Sequence, residues 1–307
     1  MPTVLITGGT GLIGKALTKE LRKRNYDLII LTRSPEKYTN SPGLSYAKWN
    51  VDEQLIDKNA IARADHIIHL AGENVGDKRW TKKRKKQILE SRTLTSALLV
   101  KALKEQPNNV KTVVSASGIG WYGEQKRSEP FIETDPATED FLGQTCKEWE
   151  AGIEPVTTLG KRLVKLRTGI VLSENGGALD EFKKPLRFGF ATILGNGKQV
   201  VSWVHIDDLV RLFVYAIENE SLRGAYNAVA PYPVTNRSFV IELGRKMKGR
   251  FFIPMYVPSF VLKIILGEMS IEVLKNANVS CEKIKQTGFV FLYPTLEAAF
   301  NGLTVPV

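Results

Sequence analysis

The stretch Thr7-Gly-Gly-Thr-Gly-Leu-Ile-Gly14 follows a short apolar run, Val4–Ile6, and opens an amphipathic segment, Gly11–Arg24. A strand that turns through glycines directly into a helix constrains the fold more than any other part of this chain. The spacing is Gly8-x-x-Gly11-x-x-Gly14. Gly8 permits a tight turn, Gly11 lets backbone approach a pyrophosphate on the helix N-terminus, and Gly14 lets the helix pack on the strand. Thr10, Leu12 and Ile13 fill the intervening positions and belong to the same loop. In this strand-to-helix context the glycines read as a dinucleotide-binding element.

The chain repeats this alternation. Strands are expected at 28–31, 45–49, 66–70, 112–115 and 163–167, with helical patterns between most of them, notably 82–103 and 139–153. Continuous apolar runs alternating with helices predict an α/β fold, a Rossmann doubly wound parallel sheet buried on both faces. After residue 171 glycine and proline become frequent. We therefore expect a Rossmann domain over 1–171. A smaller mixed α/β substrate-side domain over 172–307 is expected to interleave with the last Rossmann strands. Helices are expected to start near Asp207, read as an N-cap, and near Ser238, with a strand near Ala225.

The second strand ends Leu31-Thr-Arg-Ser34. An acidic residue here would hold a ribose 2′-hydroxyl. Arg33 instead suits a 2′-phosphate, which a carboxylate would repel, so NADP(H) is expected over NAD(H), with Ser34 beside it. The fourth strand ends in a small-residue turn, Leu70-Ala71-Gly72, that lets backbone pass the adenine-side ribose; His69, just before it, reads as structural.

Bulk properties narrow the class. The N-terminus has no basic segment followed by a small-residue cleavage site, so no signal peptide is read. The run Phe260–Leu266 is interrupted by Lys263 and falls far short of the roughly 20 residues of a membrane span. Cys146 and Cys281 have neither metal-ligand nor disulfide-framework spacing, which fits a reducing, cytoplasmic setting. The net charge of +11 raises the question of nucleic acid, and the densest cluster is Lys82–Lys86 with its flank. Three readings are open: a solvated helix face, a site for an anionic small molecule or cofactor phosphates, and, least favoured, a nucleic-acid patch. No nucleic-acid motif accompanies the charge.

These residues resemble the extended short-chain dehydrogenase/reductase superfamily over nearly the whole chain. The atypical subgroup called epimerase family proteins, sometimes labelled cell-division inhibitors, is the nearer match. Besides the glycine loop, the resemblance rests on Leu70-Ala-Gly72, Arg79-Trp-Thr81, Ser91-Arg92, Ser115-Ala-Ser117, Trp121-Tyr-Gly123 and Trp149-Glu150. Later in the chain it rests on Arg167–Leu172, Ser202–Asp208, Pro233–Asn236, Leu266–Met269 and Gly288-Phe289. It implies a Rossmann domain, bound NADP(H) and a small C-terminal domain.

The superfamily's catalytic signature is an upstream serine with Tyr-x-x-x-Lys on a helix, where i,i+4 spacing puts phenol and ammonium on one face. Tyr122-Gly-Glu-Gln-Lys126 has the letters but runs into Arg127-Ser-Glu-Pro130, which is loop chemistry. The helix expected to carry the pair is 139–153. Aligning Glu150 with the family's glutamate puts Leu142 at the tyrosine position and Cys146 at the lysine position. Neither can replace its counterpart, as in the atypical subgroup. Ser117 aligns with the serine that binds substrate oxygen, and also reads as a turn serine. Tyr122 reads as a substitute acid or as a packing residue. Ser115 lies on the cofactor side of the same strand, and Thr168, Gly169 and Ile170 are expected to line the nicotinamide.

Two functions compete. One is an NADP(H)-dependent oxidoreductase or epimerase acting on an unidentified small molecule, with Ser117 and Tyr122 as catalytic residues. The other is a non-catalytic NADP(H)-binding sensor or assembly factor with a partner protein. No membrane is expected as partner, and oligomeric state is open.

Overall fold

The computed structural model describes residues 1–303. The apolar runs become strands β1 (Thr3–Thr7), β2 (Asp27–Thr32), β3 (Leu44–Asn50), β4 (Leu55–Ile56), β5 (His66–His69), β6 (Thr112–Gly118) and β7 (Arg162–Thr168). Between them lie helices α1 (Leu12–Lys23), α2 (Lys58–Arg63), α3 (Lys82–Glu105) and α4 (Phe141–Ile153). Later elements are shorter: β8 (Ile170–Leu172), α5 (Ala178–Arg187), β9 (Phe190–Leu194), β10 (Val200–Val201), β11 (Trp203–His205) and α6 (Ile206–Glu218). They continue with β12 (Gly224–Ala228), β13 (Val234–Thr235), α7 (Asn236–Lys248), β14 (Ile253–Val257), α8 (Ser259–Leu266), α9 (Ser270–Leu274), α10 (Glu282–Gln286) and α11 (Leu296–Gly302).

Eight strands form one sheet in the order β12-β7-β6-β5-β1-β2-β3-β4, parallel except for the β3–β4 pair. The alternation within β1 shows why these strands read as unbroken apolar runs. Val4 and Ile6 pack on the face that holds Leu17, Leu21 and Phe213 of α1 and α6, while Leu5 packs on the opposite face with Leu98 and Leu99 of α3. After β1 the chain builds outward through β2 and β3, then returns to the other side of β1 as β5. The order reverses between β1 and β5, and a crevice outside their carboxyl ends is where open α/β sheets bind ligands.

A third core, with Leu172, Leu179, Trp203, Phe239 and Phe300, is built after residue 171. That part of the chain also sends α6 and β12 back to the large sheet. Its remaining strands pair in twos: β8 with β11, β9 with β14, and β10 with β13. Asp207 is not the N-cap of α6. His205 holds that place, its Nδ1 accepting from the Asp207 backbone N–H at 3.2 Å. Asp208 is wholly buried and accepts from the backbone of Leu292 and Tyr293, tying the C-terminal segment to α6. No helix among the described residues is long and apolar enough to cross a membrane.

Candidate active site

The loop after β1 has the shape its glycines predict. Gly8 sits at φ +69°, and a Cβ there would come within 2.9 Å of the Leu70 backbone. The turn after β1 and the turn after β5 therefore touch directly. Thr7 Oγ1 accepts from the N–H groups of Leu70 and Ala71 at 3.2 Å each and fixes that contact. Gly11 caps α1 with no side-chain hydrogen bond, and no acidic residue occupies the first turn. The first N–H groups of α1, at Leu12, Ile13 and Gly14, are left for an anion. Gly14 acts differently from expectation. A Cβ there would strike Gly9 Cα at 2.4 Å and Gly8 O at 2.5 Å, so it packs against the loop's own backbone. The close approach of loop to strand falls to Gly9, whose added Cβ would meet the Ile30 side chain at 2.7 Å. Gly9 lies outside the Gly8-x-x-Gly11-x-x-Gly14 spacing, so no glycine pattern marks it.

Arg33 follows β2 directly and is exposed, with no hydrogen bond or ion pair to any described residue. Ser34 begins a short turn over Pro35–Lys37. His69 lies on the inner side of the crevice but is fully buried, between Thr7 Oγ1 at 2.7 Å and Ser96 Oγ at 3.1 Å. Burial, with Arg92 adding to it, holds its pKa down at about 3, so the ring is neutral and structural.

At the carboxyl ends of β6 and β7 the two proposed catalytic hydroxyls turn inward. Ser117 is buried and donates to Glu150 Oε1 at 2.8 Å. Arg167, opposite Ser117 in the sheet register, donates from Nε to the same oxygen at 2.8 Å and from Nη2 to Oε2 at 3.0 Å. Its Nη1 donates to the Tyr122 hydroxyl at 3.1 Å, and that hydroxyl donates to Asn227 Oδ1 at 2.6 Å. The guanidinium also lies over the Trp121 ring, 3.6 Å from its centroid. Burial opposes the Arg167 charge, but hydrogen bonding to Glu150 and that carboxylate's charge outweigh it and raise the pKa. Burial pushes the Tyr122 phenol up to about 12, which leaves it a poor proton donor near neutrality. Ser117 and Tyr122 thus belong to one network, closed on protein partners. Ser115 is buried within β6, its hydroxyl donating to the Ala116 carbonyl at 3.1 Å. Thr168 donates to the Ser117 carbonyl at 2.9 Å. A Cβ on Gly169 would meet Ser202 O at 2.7 Å, and Ile170 enters β8, so this corner is closely packed.

Residues 122–126 form no helix, as the loop chemistry predicts. On α4, the side chains that face the end of β6 are the two expected from the alignment. A Cβ on Gly120 would meet Leu142 Cβ at 3.0 Å, and one on Gly118 would meet Cys146 Sγ at 3.7 Å. Burial pushes the Cys146 thiol up to about 11, so it is neutral at pH 7. This face offers an alkyl group and an uncharged thiol where an acid and a cation would be needed.

The basic cluster is partly neutralised. Arg84 is buried and pairs with Glu73 at 3.0 Å, Lys85 pairs with Glu268 at 2.7 Å, and Lys86 lies 3.6 Å from Glu90. The first two pairs hold the start of α3 to the loop after β5 and to the segment after α8, and the third lies within α3, which weakens the nucleic-acid reading. Sequence reasoning used Glu150 only as an alignment mark and missed its ion pair. The signal was Arg167 in the apolar strand pattern of β7, a buried cation that needs acceptors and here finds a carboxylate.

Comparison with known proteins agrees with this architecture. The model for the NAD dependent epimerase/dehydratase family matches residues 4–145 and 184–228, and a domain of unknown function, DUF1731, matches residues 257–303. An epimerase family protein of Staphylococcus haemolyticus is 34% identical, with 99% of each chain covered. One from Mycobacterium leprae is 33% identical, covering 98% of this chain and 95% of the other. The crystal structure of human epimerase family protein SDR39U1 (isoform 2) with NADPH superposes with a TM-score of 0.83, at 31% identity over 98% of each chain. UDP-N-acetylglucosamine 4-epimerase from Bacillus cereus shares the fold, with a TM-score of 0.76 at 18% identity over 98% of each chain. With its glycine loop, sheet order and C-terminal segment all accounted for, the chain belongs to the NAD dependent epimerase/dehydratase family.

Proposed function

We propose that this protein binds NADP(H) and is an oxidoreductase or epimerase that works without a Tyr-x-x-x-Lys pair. The observation that carries the cofactor choice is Arg33. It is exposed at the end of β2, one strand from the glycine loop, and its guanidinium has no partner among the described residues. A 2′-phosphate supplies the charge it lacks. Gly8, Thr10, Gly11, Leu12, Ile13 and Gly14 hold the pyrophosphate in this reading, with Ser34 beside the 2′-phosphate. Leu70, Ala71 and Gly72 border the adenine-side ribose, and Thr168, Gly169 and Ile170 border the nicotinamide. Ser115 contributes backbone, since its hydroxyl is turned to Ala116. The NADPH in the human relative's structure supports the same choice.

The cofactor, when bound, supplies the hydride chemistry. The chain's part is to bind and orient. Ser117 and Tyr122 act here as positioning residues, holding the end of β6 to α4 and β12 through Glu150, Arg167 and Asn227. A second reading, a non-catalytic NADP(H)-dependent sensor or assembly factor, is favoured by Leu142 and Cys146 at the face of α4 that would carry acid–base chemistry.

The experiment is to release and identify any nucleotide from purified protein by mass, then add NADPH with a panel of aldehydes, ketones and quinones. Oxidation above the protein-free rate, lost in Gly11→Asp, supports the oxidoreductase. Bound NADP(H) with no turnover across the panel supports the sensor.

A further inference from the structure

One arginine in the crevice has no counter-ion among the described residues. Arg92 lies on α3, half-buried, on the face that also carries the buried Ile88, Thr95 and Leu99. A Cβ on Gly72 would come within 3.0 Å of its Cζ, so the guanidinium rests on the turn after β5. It lies over the Trp149 ring, 4.8 Å from the centroid. Trp149 stands three residues after Cys146 on α4, and Cys146 faces Gly118 at the end of β6, so the guanidinium lies near the carboxyl ends of β5 and β6, where ligands of such sheets bind.

Its protein contacts are few and neutral. Nη1 donates to the Ile88 carbonyl at 2.8 Å and Ser91 Oγ at 3.4 Å, and Nη2 donates to the Glu73 carbonyl at 3.0 Å. Nε–H has no acceptor among the described residues, and Nη2, on the same edge of the fork, carries one N–H beyond the one given to Glu73. The nearby carboxylate, Glu73, is paired with Arg84 instead. A partly desolvated cation with no counter-charge among the described residues is costly to keep, and this one has donors to spare on Nε and Nη2.

We propose that Arg92 is the anion-binding group of this site, taking the carboxylate or phosphate of a small acidic substrate on its Nε and Nη2 edge. This deepens the oxidoreductase reading by naming the substrate class. It also supplies, from α3, the positive charge that Cys146 cannot supply from α4.

The test is NMR on 15N-labelled, NADPH-loaded protein, titrated separately with malonate and with inorganic phosphate at constant ionic strength. The Arg92 Nε–H signal, assigned by its loss in Arg92→Gln, is expected to shift and saturate with at least one of them. Arg92→Gln should weaken that anion at least about tenfold by calorimetry, while the NADPH dissociation constant stays within about twofold. Arg92→Lys should recover part of the affinity, because it keeps the charge and loses the fork. A signal unmoved by both anions overturns the proposal, as does equal anion binding by Arg92→Gln. An NADPH affinity weakened about tenfold with anion binding intact overturns it too, by assigning the arginine to the cofactor. If the wild-type protein takes up no NADPH, the cofactor reading fails separately. The same titration of the free protein then decides the role of Arg92.

Discussion

Arg167 and Glu150 form a two-pronged ion pair, Nε to Oε1 at 2.8 Å and Nη2 to Oε2 at 3.0 Å, with both side chains more than nine-tenths buried. Ser117 and Tyr122 hang from this pair, one on the acid and one on the base. Both hydroxyls, read from the sequence as a catalytic couple, meet protein partners here, and the four side chains form a brace.

Removing the acid leaves a buried cation without its partner. Glu150→Ala should cost about 3–5 kcal/mol of stability, the usual penalty for breaking a buried pair from one side. Urea denaturation measures it. A loss under about 1 kcal/mol would mean that the pair is solvated in practice.

Tyr122→Phe removes the hydroxyl between Arg167 Nη1 and Asn227 Oδ1. The expected cost is about 1–3 kcal/mol, because a buried acceptor and a charged donor both lose a partner. NADPH affinity should be unchanged. If stability holds and turnover on a substrate falls by orders of magnitude, Tyr122 is a proton donor and the brace reading is wrong.

His69 sets a pH dependence. Its native pKa is held down at about 3, while the unfolded side chain has the ordinary 6.5. Between these values the unfolded state binds a proton that the native state does not. This contribution to stability is therefore intact above pH 6.5 and is lost on acidification toward about 3, with a slope approaching 1.4 kcal/mol per pH unit, as an order-of-magnitude figure. Stability measured at several pH values in wild type and His69→Asn isolates the term. The variant should show a shallower acid slope, whatever its absolute stability.

Arg33→Ala tests the cofactor reading at one residue. Losing a charge-assisted contact worth about 1.5–3 kcal/mol should raise the NADPH dissociation constant about ten- to a hundredfold. NADH, which has no 2′-phosphate, should bind as before. A parallel loss of both would mean that the substitution disturbs the pocket generally.

The large sheet was legible because its strands are buried on both faces. Val4 through Ile6 and Leu28 through Leu31 carry no polar interruption, and the glycine turn marks where one of them becomes a helix. The C-terminal part was not legible in detail. Its strands run from two to five residues, and β9 finds its partner in β14 some sixty residues later, so no local period records the pairing. Asp207 looked like a cap because acids favour that position, but the helix starts two residues earlier than expected and His205 takes the place. Leu142 and Cys146 could be placed on one face of α4 because Glu150 set a register for it, and both face the end of β6. The directions of Ser117 and Tyr122 were beyond reach of the sequence. They depend on Arg167 and Asn227 from β7 and β12, strands distant in sequence and adjacent only in the folded sheet. Arg92 left a weak trace, a charge on the buried stripe of a helix.

The most direct measurement is calorimetric titration of nucleotide-free protein with NADPH and with NADH. NADPH should bind more tightly by at least about tenfold, the share of affinity carried by Arg33 on the 2′-phosphate. NADH binding as tightly as NADPH, or more so, would contradict it.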